Sequence, residues 1–74
     1  MLTDKVNKLL ELTKRAISVN KDLLAEEEKF VEALNSQQDL NDLREKSHKI
    51  HKLLRKELLY HQAATKVLEK AESH

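Results

Sequence analysis

The sequence lacks glycine, proline and cysteine entirely, and each absence removes a class of structure. Without glycine and proline, the chain lacks the residues on which most tight turns and strand hairpins depend. Without cysteine, it has neither a disulfide framework nor a thiolate metal site. These absences favour helices that are held together without covalent links.

Aromatic residues and long apolar runs are also scarce. Phe30 and Tyr60 are the only aromatic residues, and no apolar run is longer than three residues. A transmembrane helix needs about 20 mostly apolar residues, and a signal peptide needs a run of about 7–15. We therefore expect no membrane span, and we expect an intracellular, cytoplasmic protein.

Charge is abundant, since 36% of the 74 residues are charged while the net charge is only +1. Such a composition is typical of long helices and coiled coils. The two signs are separated along the chain: residues 22–42 hold seven acids and one base, whereas residues 43–56 hold six bases and one acid. A chain of this length forms one small domain with a limited core.

Pairs of apolar residues recur every seven residues in the first half of the chain. A seven-residue repeat returns to the same side of a helix, so all eight side chains are predicted to lie on one side of a long helix. Thr3 or Asp4 is predicted to cap its start. The pairs are Leu9 with Leu10, Ala16 with Ile17, Leu23 with Leu24, and Phe30 with Val31.

The apolar rhythm lapses after Leu34, where Asn35 and Ser36 favour turns and caps. Ser36, followed three residues later by Asp39, resembles a capping box, which would make Ser36 the N-cap of a second helix. Asn20 and Asp22 leave open a further break within residues 18–22. The apolar face of the second helix is predicted to contain Leu40, Leu43, Ile50, Leu53, Leu54, Tyr60, Ala64, Val67, Leu68 and Ala71.

We therefore predict an all-α fold, an antiparallel two-helix hairpin that forms a single domain over residues 1–74. The first helix is expected over residues 3–34, the bend over 35–38 and the second helix over 39–72. A bend near residue 37 places residues whose numbers sum to about 74 opposite each other. Acidic and basic stretches then meet: Glu26, Glu28 and Glu32 lie near Arg44, Lys46 and Lys49.

The apolar faces of the two helices are too wide for a hairpin alone. Each covers an arc of roughly 160–180°, broader than the seam of a two-stranded coiled coil. Two helices alone would leave part of these apolar arcs exposed to water. We therefore expect the chain to complete a helical bundle, either with copies of itself or with a different protein.

Glu57 and His61 interrupt the apolar face of the second helix and are four residues apart, so their side chains can meet. The predicted register brings Thr13 opposite His61. A carboxylate that orients a histidine suits proton transfer, but no glycine-rich phosphate loop or nucleophile turn accompanies the pair. We interpret Thr13, Glu57 and His61 as a polar core layer that fixes the register, and we predict no catalytic residues.

A basic stripe follows the outer face of the second helix. Such a stripe can contact phosphates or an acidic protein surface, but it lacks the aromatic residues that stack on bases. Sequence-specific nucleic-acid binding is therefore not expected. The predicted partner-binding residues are Arg44, His48, Lys52, Arg55, Leu58 and Leu59.

His48 and His51 lie three residues apart, with Glu45 one turn earlier. A zinc site normally uses four protein ligands, or three and a water molecule. No cysteine or carboxylate cluster completes such a set here. We predict two solvated histidines, no metal and no cofactor.

These patterns predict a non-enzymatic helical protein–protein interaction module, a small subunit or adaptor of an oligomeric or helical complex. One alternative is a small chaperone that shields an amphipathic client, because the two-helix plan is similar to that of the chaperones of type III secretion needle proteins. Another is a nucleic-acid-associated helical protein that uses the basic face of the second helix.

Overall fold

The computed structural model describes residues 2–36 and 39–72, with the side chains of residues 3–36 and 39–70. Helix α1 spans Leu2–Asn35 and helix α2 spans Leu40–Glu72. The two helices pack against each other, and the start of α1 lies beside the end of α2. The predicted all-α antiparallel hairpin is confirmed.

The bend is close to its predicted position, but its caps differ from the prediction. The Ser36 hydroxyl donates to the Glu32 carbonyl oxygen at 2.8 Å and so closes the end of α1. Asp39 Oδ1 accepts a hydrogen bond from the Asn41 N–H at 2.8 Å, which makes Asp39 the N-cap of α2. Ser36 is not that N-cap, because Asp39 stands directly before the first turn. Residues 37 and 38 of the predicted bend lie outside the described residues.

Helix α1 is continuous from its first turn to its last. It begins at Leu2, so Thr3 and Asp4 lie inside the first turn and not at the cap. The Asp4 carboxylate is favourable there, because the N-terminus of a helix carries partial positive charge. No break occurs at residues 18–22, where Asn20 directs its amide across the hairpin.

The helices meet along a seam whose residues alternate three and four positions apart, the spacing of a coiled coil. Its most buried members are Ala16, Val19, Leu23 and Ala33, each 4–5% exposed. The seam contains Leu9, Leu12, Ala16, Val19, Leu23, Phe30 and Ala33 of α1, and Leu43, Ile50, Leu53, Tyr60, Ala64 and Val67 of α2. Four polar residues, Lys5, Glu26, Lys46 and Glu57, occupy the same rows and are half-buried.

Two hydrogen bonds between the helices define their register. Lys5 Nζ donates to the Lys70 carbonyl oxygen at 3.4 Å, and Asn20 Nδ2 donates to Glu57 Oε1 at 3.3 Å. The residue numbers of these pairs sum to 75 and 77, close to the predicted 74. The register is therefore shifted by one to three residues from the predicted one.

Opposite charges expected to meet across the helices find partners within them. Glu26 pairs with Lys29 at 3.4 Å, and Lys46 pairs with Asp42 at 2.9 Å. Because the observed register places Glu26 and Lys46 at different heights, partners three or four residues away on the same helix are nearer. Of the acidic and basic stretches expected to meet, Glu26 and Lys46 thus take partners on their own helices.

The hairpin is a rod with a large surface for its mass. Its radius of gyration is 16.8 Å, whereas a compact chain of this length has about 11 Å. It exposes 6053 Å², against about 4,700 Å² for a compact monomer of 8.6 kDa. The excess surface is what two helices sharing one narrow seam leave uncovered.

Candidate interaction surface

A row of apolar residues follows α1 directly beside the seam. Leu10, Ile17, Leu24 and Val31 each come one position after a seam residue, and they are 51–55% exposed. Successive residues on a helix are 100° apart, so this row turns away from α2 toward one side of the hairpin. Val6 and Leu34 continue the row at its two ends, and they are similarly exposed.

Helix α2 carries a matching row. Leu54 and Leu68 come one position after the seam residues Leu53 and Val67, and they are 45% and 52% exposed. Leu58, one turn from Leu54 and 56% exposed, widens the row. The same row also includes the polar residues Ser47, His61 and Thr65.

Both rows lie on the same side of the hairpin. Asn20, which belongs to the α1 row, donates its hydrogen bond to Glu57 on α2. An open depression on this side is lined by Thr13, Ile17 and Asn20 of α1 together with Glu57 and His61 of α2. We call this surface the apolar side. Its apolar members are Val6, Leu10, Ile17, Leu24, Val31 and Leu34 of α1 and Leu54, Leu58 and Leu68 of α2.

The opposite side of the hairpin, which we call the charged side, is formed by residues one position before the seam. Near the bend, Lys29, Glu32 and Asp42 line its surface, and Asp42 pairs with Lys46 of the seam. The side carries seven bases and six acids: Asp4, Lys8, Glu11, Arg15, Asp22, Lys29 and Glu32 of α1 and Asp42, Glu45, Lys49, Lys52, Lys56 and Lys66 of α2. The hairpin is thus amphipathic as a whole and not only along each helix.

The adjacent apolar pairs of the sequence, here called doublets, explain how apolar residues are divided between the seam and the apolar side. The prediction that two helices leave part of their apolar arcs exposed is confirmed by the half-exposed rows. The doublets themselves are split, with the first member buried in the seam and the second on the apolar side. Leu23 is 5% exposed while its neighbour Leu24 is 52% exposed. Including Leu12 and Val19 with the first members reveals the strict coiled-coil spacing and would have shown this split from sequence.

The predicted partner-binding residues of α2 are all exposed, but they do not form one surface. Arg44 and Leu58 lie on the apolar side, because each follows a seam residue by one position. His48 and Arg55 lie at the outer edge, farthest from α1. Lys52 and Leu59 turn toward the charged side, and Leu59 is 64% exposed. The full predicted set is Arg44, His48, Lys52, Arg55, Leu58 and Leu59.

Of the predicted polar core layer, Glu57 stands in the seam, while Thr13 and His61 lie beside it. Glu57 occupies a seam position with 22% side-chain exposure, and its Oε2 is 3.6 Å from His61 Nε2. His61 is 61% exposed at its side chain, and Thr13 is also exposed. Both follow the seam residues Leu12 and Tyr60 by one position, which turns them onto the apolar side. Asn20, which the predicted group omits, is the residue that bonds to Glu57 across the helices.

Neither a metal site nor a membrane span is found in the part of the chain that the structure describes. Within residues 2–36 and 39–72, no three His, Asp or Glu side chains come together as metal ligands. The spacing of His48, His51 and Glu45 therefore does not produce a cluster. Neither described helix is long and apolar enough to cross a membrane.

The described residues supply a large amphipathic surface. Comparison of the chain with protein-family models, with curated proteins and with solved structures gives no match.

Proposed function

We propose that this chain is a non-enzymatic helical protein–protein interaction module that works by burying its apolar side against another helical surface. One observation carries the proposal: half-exposed apolar residues from both helices share one side of the hairpin, and the opposite side is charged. Contiguous apolar patches of this kind mark interaction surfaces in soluble proteins.

Burying one leucine contributes little free energy, so stable association requires the whole apolar side to be covered. Burying the remaining exposed half of a leucine contributes on the order of 1 kcal/mol. Association costs about 4–15 kcal/mol in lost rigid-body freedom, so one or two leucines are insufficient. The nine apolar members distributed from Val6 to Leu68 together reach the required range.

An enzymatic role is not part of this proposal. The Glu57–His61 pair lies in an open depression, and His61 is 61% exposed. Water therefore has free access to both groups. The short distance between them suits a structural ion pair, formed when the imidazole is protonated.

A chaperone that shields an amphipathic client would use the same apolar side. It differs from a stable subunit in what the purified chain does alone. A chaperone leaves the side open until its client arrives, whereas a subunit keeps it covered. The mass of the purified chain therefore separates these two forms of the proposal.

Nucleic-acid association is a second candidate, and it is favoured by the part of the charged side that α2 supplies, where four lysines stand against two acids. Phosphate contacts by lysine and arginine depend steeply on salt, because binding releases counterions. Titration with a labelled RNA at two salt concentrations tests this role. Tight binding that weakens steeply with salt supports it, and equally weak binding at both concentrations removes it.

The interaction role is tested by sedimentation of the tagged chain in an extract of the cells that make it. Leu24→Glu places a charge on the apolar side, and Ala25→Glu places the same charge on the neighbouring exposed position outside it. We expect the wild type and Ala25→Glu to sediment as a complex and Leu24→Glu to sediment as a single chain. A wild-type chain that sediments alone would contradict the proposal.

A further inference from the structure

We infer that the apolar side is covered by a second copy of this chain, with the two hairpins face to face and their bends at the same end. In this arrangement α1 of each copy lies on α2 of the other, which completes an antiparallel four-helix bundle. The inference rests on the proposed function and names the partner and its orientation.

The surface is of the size that a stable dimer needs. The Cα atoms extend over 55 × 16 Å on the broad side of the rod, a footprint of about 900 Å², and a standard interface buries about 800 Å² on each partner. The excess exposed surface over that of a compact monomer is of the same order. One additional hairpin of equal length covers this side from end to end.

A two-fold dimer requires a surface that complements itself. Within the hairpin, residues at equal height have numbers that sum to about 77, as the Asn20–Glu57 hydrogen bond shows. The apolar side is therefore divided into levels of different chemistry. From the open end toward the bend, these levels are Leu10 with Leu68, Thr13 with Thr65, Ile17 with His61, Asn20 with Leu58, Leu24 with Leu54, Glu27 with His51, Val31 with Ser47, and Leu34 with Arg44.

When the bends lie at the same end, each level of one hairpin lies against the same level of the other hairpin. Leu24 then meets Leu54 of the second copy, and the leucines of the open end meet one another in the same way. Threonines likewise face threonines. The leucine levels and the threonine level are therefore matched in kind and Glu27 faces His51, whereas Ile17 meets His61 and Asn20 meets Leu58.

When the bends lie at opposite ends and the hairpins overlap fully, Leu10 and Leu24 lose these leucine partners, while Leu54 meets Leu58 of the second copy. The middle of α1 is near residue 19, so residue 24 falls over residue 14 of the second copy. Leu24 would then lie against Thr13, and Leu10 would lie against Glu27. Burying these charged or hydroxyl groups against leucine lacks a compensating partner and costs free energy.

Charge supports the same orientation. Glu27 and Glu28 lie near the bend on α1, and Arg44 and His51 lie near the bend on α2. With the bends together, the acidic stretch of one copy faces the basic stretch of the other. Complementary charges at the rim of an interface contribute mainly to orientation.

Spin labels measure the orientation directly, because the chain has no native cysteine. Asn41→Cys places a label on the exposed outer edge of α2 near the bend, and Arg55→Cys places one near the middle. With a rise of 1.5 Å per residue, the Asn41→Cys labels of a dimer are about 30 Å apart when the bends coincide and about 50 Å apart when they oppose. The Arg55→Cys labels are close in either orientation and therefore report dimer formation alone.

We expect short label distances for both variants in purified protein, and we expect both signals to vanish when Leu24→Glu is added. A short distance for Arg55→Cys with a long one for Asn41→Cys would overturn the orientation. If no distance between Arg55→Cys labels can be measured at high micromolar concentration, the inference that the partner is a second copy is overturned. In that case, sedimentation of the wild type as a complex in cell extract would preserve the interaction role with a different protein.

Discussion

Asn20 of α1 donates a hydrogen bond to Glu57 of α2 across the middle of the hairpin, with its amide nitrogen 3.3 Å from Oε1. Glu57 stands on the seam between Leu53 and Tyr60, where an apolar residue would fit the coiled-coil pattern. Its carboxylate reaches the edge of the seam, where Asn20 and His61 approach it. The polar residue is therefore accommodated at the border of the apolar side.

Replacing Glu57 by leucine is expected to stabilise the hairpin. The seam gains apolar contact with Val19 and Leu23, and the lost hydrogen bond is partly exposed to water. We expect the free energy of unfolding to rise by about 1 kcal/mol, measured by urea denaturation. Glu69→Leu, on the exposed outer edge of α2, is the control and should change stability little. A fall in stability for Glu57→Leu would mean that the hydrogen bond dominates.

The neighbours Leu23 and Leu24 should respond differently to truncation. Leu23→Ala opens a cavity in the seam and is expected to cost about 2–3 kcal/mol of unfolding free energy. In a monomeric sample, Leu24→Ala should cost less than about 1 kcal/mol, because Leu24 is half-exposed. Thermal unfolding followed by circular dichroism at low protein concentration compares them, and equal losses would refute the split of the doublets.

The hairpin itself follows from the sequence, because the apolar rhythm has one interruption and the chain has no glycine or proline. Periodicity could not separate Leu23 from Leu24, since adjacent residues share a wide apolar arc until a partner helix selects one of them. The same displacement by one position, a rotation of 100° around the helix axis, places Thr13 and His61 outside the expected core layer. The sequence does not identify Asn20 as the partner of Glu57, because asparagine locally favours a helix cap and Glu57 is 37 residues away along the chain.

The cap at the bend provides a local test. Asp39→Ala removes the acceptor of the Asn41 N–H and should lower the unfolding free energy by about 1 kcal/mol. Asp39→Asn keeps an oxygen acceptor and should recover most of that loss. If Asp39→Asn is as damaging as Asp39→Ala, the negative charge at the helix start matters more than the hydrogen bond.

Leu58 and Leu59 distinguish the apolar side from the outward basic stripe. Both are more than half-exposed, so a charge at either position should leave the helical content unchanged. If the apolar side is the interface, Leu58→Glu should weaken association at least tenfold while Leu59→Glu leaves it nearly unchanged. Sedimentation equilibrium measures the association of the two variants. If Leu59→Glu weakens association more than Leu58→Glu does, binding belongs to the stripe of Lys52 and Leu59.

Hydroxyl-radical footprinting, read residue by residue with mass spectrometry, tests the central claim most directly because it shows which leucines become covered when the chain associates. Leu24 and Leu59 are both more than half-exposed in the isolated hairpin, so both should be oxidised readily in dilute protein. As concentration rises, the account predicts that oxidation of Leu24 falls severalfold while oxidation of Leu59 stays constant. Equal oxidation of Leu24 at low and high concentration, with the mass of the particle increasing, would contradict it.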